Sequence, residues 1–269
     1  MIGKRVLAVV SLGLAMLSSS GVHALDGQTL LAASARMNGP AGWSDRRSIM
    51  TIETYANDDK VRERRAEVKE SLSEDRKISS LSEFLGPADV LGLRILDIWG
   101  AEEGGDAWVW APQTRRFQKI AAGQSDDAPA YGNEPSYRDA QLLDLLPRMA
   151  EDVDAKVADE VQIDGRAMAV LTVDVGENRD WPLMRMFRVW VATDDQTIHK
   201  IESLAAGGSV ARRVTVDRYQ EIEGRMTATE VTVENPASER TTTFRRSEIR
   251  LDQGIPERTF SLRDLSKGR

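Results

Sequence analysis

The chain has 269 residues, 41% hydrophobic and 29% charged, with a formal net charge of −7 and no cysteine. An acidic balance without clustered cations argues against nucleic-acid partners. The missing cysteines exclude disulfides and thiolate metal sites, so an exported form must rely on its core.

Lys4 and Arg5 precede an apolar run from Val6 to Leu17, and Val22-His23-Ala24 has small residues at both ends. Residues 1–24 therefore read as a secretory signal cleaved near Ala24, too short in its apolar part to span a bilayer. Its loss removes Lys4 and Arg5 and no carboxylate, taking the charge from −7 to −7 − 2 = −9. No cysteine stands at the cleavage site for lipid attachment, so the mature chain is expected to be exported and soluble. What remains suffices for one large β domain or two small ones.

From Asp26 to Met37 the spacing of Leu30, Leu31, Ser34 and Met37 predicts a helix, stopped by Asn38-Gly39-Pro40. Ser48 to Tyr55 suits a strand. Val61 to Leu72 is ambiguous: Val61, Arg65, Val68 and Leu72 fit helical spacing, while Ala66, Val68 and Leu72 alternate with Glu70 as the exception. Periodicity alone slightly favours a helix. Its charges read as a solvated face. Lys77 to Phe84 is the next strand, ended by Gly86-Pro87. Leu91 to Trp99 is apolar on both faces, with Leu91, Leu93 and Ile95 opposite Leu96 and Ile98, which implies burial on both sides.

Trp108 and Trp110 share one side of a short strand that runs on to Pro112 and Arg115-Arg116-Phe117. Gly123 to Glu134 is a polar loop. Ser136 with Asp139 resembles a capping box opening a helix with Leu142, Leu143, Leu145, Leu146 and Met149 on a broad apolar face, bent or ended by Pro147. Beyond it the chain reads as a meander. Val157 to Ile163 and Arg166 to Val175 flank the hairpin signal Asp164-Gly165. Further strands are expected at Met186 to Ala192, Thr197 to Leu204, Val210 to Tyr219, Arg225 to Glu234 and Thr241 to Leu251. No linker or fixed repeat interrupts this series, so one continuous antiparallel sheet is the simplest account.

Little in the chain carries chemistry. After cleavage His199 is the only histidine, and no nucleophile elbow, His-Glu-x-x-His or Cys/His metal spacing accompanies it. The acidic groups Glu102-Glu103, Asp126-Asp127, Asp194-Asp195 and Glu151 to Asp154 match no ordered calcium loop. Aromatics two apart are more often core than binding wall. Read functionally, Trp108 and Trp110 would line an apolar cavity, with Arg115 or Arg116 at its mouth to meet an anionic headgroup. Trp181 and Met184 would form a lip.

Phe84-Leu85-Gly86-Pro87, Trp108-x-Trp110-x-Pro112 with Arg115-Arg116, Ser136-Tyr137-Arg138-Asp139, Trp190-Val191, Ile255-Pro256 and Phe260 to Leu265 are spread over most of the chain. In these residues the chain resembles the outer-membrane lipoprotein-sorting family of Gram-negative bacteria, with its LolA-like half-barrel. The resemblance implies a mainly β (α+β) fold, an incomplete and strongly curved antiparallel β-barrel with short helices over its concave face. It also implies a strand at Val61 to Leu72 and a single carrier domain over residues 25–269. The activity it implies is non-enzymatic: periplasmic carriage of a lipid or of lipoprotein acyl chains, without metal or cofactor, with a resistance-nodulation-type exporter as partner.

The lining expected on that basis comes from the helices at Leu31, Leu142 and Leu146, and from the strands at Phe84, Leu93, Trp99, Trp108, Trp110 and Trp190. An accessory scaffold docking a membrane transporter is the alternative and predicts a filled interior with an exposed apolar patch. A hydrolase of envelope components predicts interacting polar groups with perturbed ionisation in the cavity.

Overall fold

A computed structural model of the chain describes residues 26–38, 43–73, 76–100, 105–121, 135–176 and 185–267. The signal segment, the polar loop at Gly123 to Glu134, and Trp181 and Met184 lie outside the described residues.

Among the described residues thirteen strands form one antiparallel sheet. Along the chain they are β1 (Asp45–Ala56), β2 (Asp59–Leu72), β3 (Lys77–Gly86), β4 (Arg94–Gly100), β5 (Asp106–Ala111) and β6 (Arg116–Ala121). After a helical segment follow β7 (Asp154–Ile163), β8 (Arg166–Asp174), β9 (Met186–Ala192), β10 (Ile198–Leu204), β11 (Val210–Ile222), β12 (Arg225–Asn235) and β13 (Arg240–Leu251). Consecutive strands pair with each other except β6 and β7, and β1 pairs in addition with β13, where the two half-meanders meet. The order therefore runs from β6 through β1 and β13 to β7, and the sheet stays open between its β6 and β7 edges. This is the incomplete, curved antiparallel barrel expected, with few short helices.

Local chemistry explains most of these elements. Asp164 and Gly165 both take positive φ, 51° and 79°, the geometry a two-residue hairpin with right-handed strand twist requires. On β8, Ala169, Leu171, Val173 and the following Val175 enter the main core, while Met168 and Val170 on the other face pack with Trp190 and Ala192. Both faces of β8 and β9 are thus buried.

The segment from Val61 to Leu72 is strand, not helix: β2 pairs with β1 on one side and β3 on the other. Ala66, Val68, Glu70 and Leu72 all point to the buried inner face, so the residue that spoiled the alternation belongs to it. Nor are its charges only a solvated face, since Glu67 is buried against Arg47. Leu91, placed in a strand by its alternation, is instead exposed in the turn before β4. The cause is the tight connection after β3, where the Gly92 amide donates to the Phe84 carbonyl at 2.8 Å.

After β13 the chain turns around Asp45, whose carboxylate accepts from the backbone amides of Gln253, Gly254 and Ile255 at 2.8, 2.9 and 3.2 Å. The turn sends the C-terminal segment over the outer face of β3 and β4. There the 3-10 turn Glu257–Phe260 and the short helix Leu262–Leu265 bring Phe260 and Leu265 onto Leu96, Leu81, Ile98, Trp108 and Trp110. Arg94 fastens this tail, donating to the carbonyls of Leu265 and Lys267 while pairing with Glu83.

Candidate functional site: the helix-covered interior

Two helices cover the concave face. Helix α1 (Gly27–Asn38) buries Leu30, Leu31 and Ala35 and packs over β7 and β12. Its first residue has to be glycine-sized, because a Cβ at Gly27 would lie 2.6 Å from the Ala155 carbonyl oxygen. Gln28 ties α1 to the turn after the second helix, donating to the carbonyls of Ala150 and Val153 at 3.2 and 2.8 Å.

Helix α2 (Tyr137–Leu145) begins where the Asp139 carboxylate accepts from the Ser136 amide and hydroxyl, both at 2.8 Å. It passes at Pro147 into a 3-10 turn, Leu146–Asp152. Leu142, Leu145, Leu146 and Met149 are fully buried in the main core against the strands.

Between α2 and the strands lies a polar network that alternation could not reveal. Glu70 on β2 is fully buried and accepts from Arg46 Nε at 2.7 Å, the Tyr137 hydroxyl at 2.7 Å and Gln141 Nε2 at 3.1 Å. Arg46 also donates to Asp144 at 2.9 Å and lies over the Trp43 ring at 4.4 Å. Gln141 in turn accepts from Trp99 Nε1 at 2.8 Å. Arg246 on β13 donates to the Tyr137 hydroxyl at 2.8 Å and the Ala228 carbonyl at 3.0 Å. Flanking it, Arg138 pairs bidentately with Asp97, and Asp139 faces Arg212 at 3.9 Å.

Burial opposes ionisation of Glu70, yet Arg46 and Arg246 with the hydrogen bonds outweigh it and bring its pKa from 4.5 to about 2. Asp144 shares Arg46 but moves upward, because burial is met by fewer donors and Glu70 repels it. Burial likewise pushes Tyr137 well up, keeping its hydroxyl a donor. A carboxyl whose folded pKa is depressed stabilises the fold above its unfolded value and loses that contribution as pH falls toward the folded one. The stability gap between the wild type and Glu70→Gln should therefore narrow, on the order of 3 kcal/mol in full, as pH falls from 4.5 to about 2. Urea unfolding of both proteins across that window checks this, and a constant gap would contradict it.

Of the residues expected to line a cavity, Leu31, Phe84, Leu93, Trp99, Leu142 and Leu146 come together on the helix-covered side. Trp108 and Trp110 do not. In register β4 and β5 pair Leu96 with Trp108 and Ile95 with Val109, so it is Ala107 and Val109 that share the inner face and the two tryptophans that meet the C-terminal tail outside. Trp190 also points outward, under Lys200 Nζ at 3.5 Å from the ring centroid. Arg115 and Arg116 are exposed at the β5–β6 hairpin, Arg115 with a φ of 52°.

His199 lies outside the interior network. Arg166 Nη1 donates to its Nε2 at 2.8 Å and Thr197 Oγ1 is 3.0 Å away. Burial and the Arg166 charge lower its pKa. Asp194 and Asp195, one of the acidic pairs, are paired with Arg166. No group of three or more His, Cys, Asp or Glu side chains able to hold a metal occurs among the described residues.

An open antiparallel half-barrel under two helices defines the LolA-like class. A family model described only as an uncharacterized protein matches residues 76–267, most of the chain. A DUF1329 family protein from Desulfovibrio piger superposes with a TM-score of 0.75 at 20% identity, covering 89% of this chain and 97% of its own. A domain assigned to outer membrane lipoprotein sorting from Vibrio parahaemolyticus also gives 0.75, at 19% identity over 90% and 98% of the two chains. A LolA superfamily protein from Nitrosomonas europaea gives 0.65 at 18% identity over 88% and 98%. No curated protein matches. The chain belongs to the family of uncharacterized proteins whose model matches residues 76–267, and its fold is LolA-like.

Proposed function

We propose that this protein is a periplasmic carrier that takes a lipid or the acyl chains of a lipoprotein into its helix-covered interior and shuttles them between envelope membranes. The observation that carries this reading is the open sheet whose concave face is lined by aliphatic side chains and covered by two helices rather than by further strands. Cargo would take the place of helix side chains such as Leu142, Leu145 and Leu146, exchanging one apolar contact for another. Burial stabilises an acyl chain by about 0.8 kcal/mol per methylene, so a chain of a dozen carbons requires such a shelter to cross water. Loading and release need no covalent chemistry, only differential affinity between closed and opened forms. Residues 1–24 serve as the cleaved leader, residues 25–269 as one carrier domain, and an exporter is a partner by family likeness. No helix among the described residues is long and apolar enough to cross a membrane, in keeping with a carrier that moves between membranes.

The second reading, an accessory scaffold that docks a membrane transporter, is favoured by one observation: α1 and α2 fill the concave side with their own leucines in this conformation. Purification from the native host, organic extraction and mass spectrometry separate the two. The carrier is expected to yield a stoichiometric lipid or lipopeptide. An empty protein that takes up no added lipid would leave the scaffold. The perturbed ionisations of Glu70 and Asp144 satisfy one expectation of a hydrolase, but both carboxylates are bound to Arg46.

A further inference from the structure

Resting on the carrier reading, a finer assignment concerns the charge left inside the half-barrel. Arg246 is 8% exposed, and within the main core's polar network it has no carboxylate bonded to it. Its guanidinium donates to a tyrosine hydroxyl and a backbone carbonyl, and its Nε is buried with no partner. In the closed protein Glu70 and Asp144 balance its charge without bonding to it, so once Asp144 leaves with α2 its donors and its charge are open to an anion. Ser48 Oγ, two residues along β1 from Arg46, is also buried without a partner.

Tyr137, Gln141 and Asp144 all belong to α2, whereas Arg46, Glu70 and Arg246 belong to the strands. When cargo displaces α2, the strands keep two guanidiniums against one carboxylate, a surplus of one positive charge. The flanking contacts leave that sum unchanged: α2 takes Arg138 away from Asp97 and Asp139 away from Arg212, one cation and one anion. Tyr137 moreover lies over Arg246, 5.5 Å from guanidinium to ring, and covers it until α2 moves.

We propose that Arg246, with Arg46 beside it, binds a single anionic headgroup, a carboxylate or phosphodiester, at the end of the cargo's acyl chain. The closed protein substitutes the Tyr137 hydroxyl for that anion. The site selects anionic over neutral amphiphiles of the same chain length, and the apolar interior alone does not.

Calorimetric titration of the delipidated mature protein with dodecanoate and with dodecanol tests this. Dodecanoate is expected to bind about tenfold more tightly, the effect of one charge-assisted hydrogen-bonded pair in a dry site. That preference should vanish in Arg246→Gln and persist in Arg246→Lys, with thermal unfolding confirming that each variant is folded. Equal affinities in the wild type overturn the headgroup site and leave the carrier standing, a comparison that needs no variant. A preference that survives Arg246→Gln also overturns it. Binding of neither amphiphile overturns both. Lysophosphatidylglycerol in place of dodecanoate decides between phosphodiester and carboxylate. Inorganic phosphate alone should give no heat, because without an acyl chain nothing displaces α2, and saturable phosphate binding would overturn the link to cargo.

Discussion

Replacing Arg46 by alanine is expected to destabilise the protein by about 3 to 5 kcal/mol, the range for breaking a buried ion pair from one side. Arg46 is 2% exposed and is the cation bonded to both Glu70 and Asp144. Its removal strands two buried carboxylates beside α2 with no other guanidinium hydrogen-bonded to them. The penalty comes from those orphaned charges more than from the lost attraction. The triple variant Arg46→Met, Glu70→Gln, Asp144→Asn should accordingly recover much of the loss, since replacing a whole buried ionic group is far milder than halving it. Urea denaturation at neutral pH measures both. A loss below about 1 kcal/mol in Arg46→Ala would mean that the network is hydrated and that α2 is not held as described.

The second large effect is expected on the opposite face. Phe260→Ala should cost about 3 kcal/mol, the lower end for truncating a buried phenylalanine. Phe260 and Leu265 form the lid over Leu96, Trp108 and Trp110, so the variant should also shift tryptophan fluorescence toward that of hydrated indole. Its acyl-chain binding, at temperatures where it stays folded, should match the wild type, because this cluster lies across the sheet from α1 and α2. Loss of cargo binding in folded Phe260→Ala would return Trp108 and Trp110 to the cargo site and contradict the face assigned to them.

That pair of tryptophans shows how the sequence can be right about a relation and wrong about a place. Alternation puts Trp108 and Trp110 on one side of β5, and they are. Which side is inner depends on pairing with β4 and on where residues 252–267 run after the Asp45 turn. Glu70 is the complementary case. Within β2 it reads as a break in the apolar pattern, yet its partners Arg46 and Tyr137 stand 24 and 67 residues away. No local signal identifies a carboxylate whose donors arrive from another strand and from a helix. Arg246 is missed for the same reason: in the run Arg245-Arg246 nothing local tells the partly exposed guanidinium from the buried one.

What the sequence determined by itself is local in origin. The Asp164-Gly165 turn and the Ser136–Asp139 start of α2 each depend on backbone sterics and hydrogen bonds a few residues apart. These interactions act in any context, so their residues announce them. The tertiary structure supplied the ladder of two flanking strands that makes Val61 to Leu72 the strand its family resemblance implied and its own periodicity does not favour. It also decided which face of each strand is inner, and which buried charges meet a partner. Those outcomes follow from contacts between distant segments, whose free energies exceed the few tenths of a kcal/mol that separate local preferences.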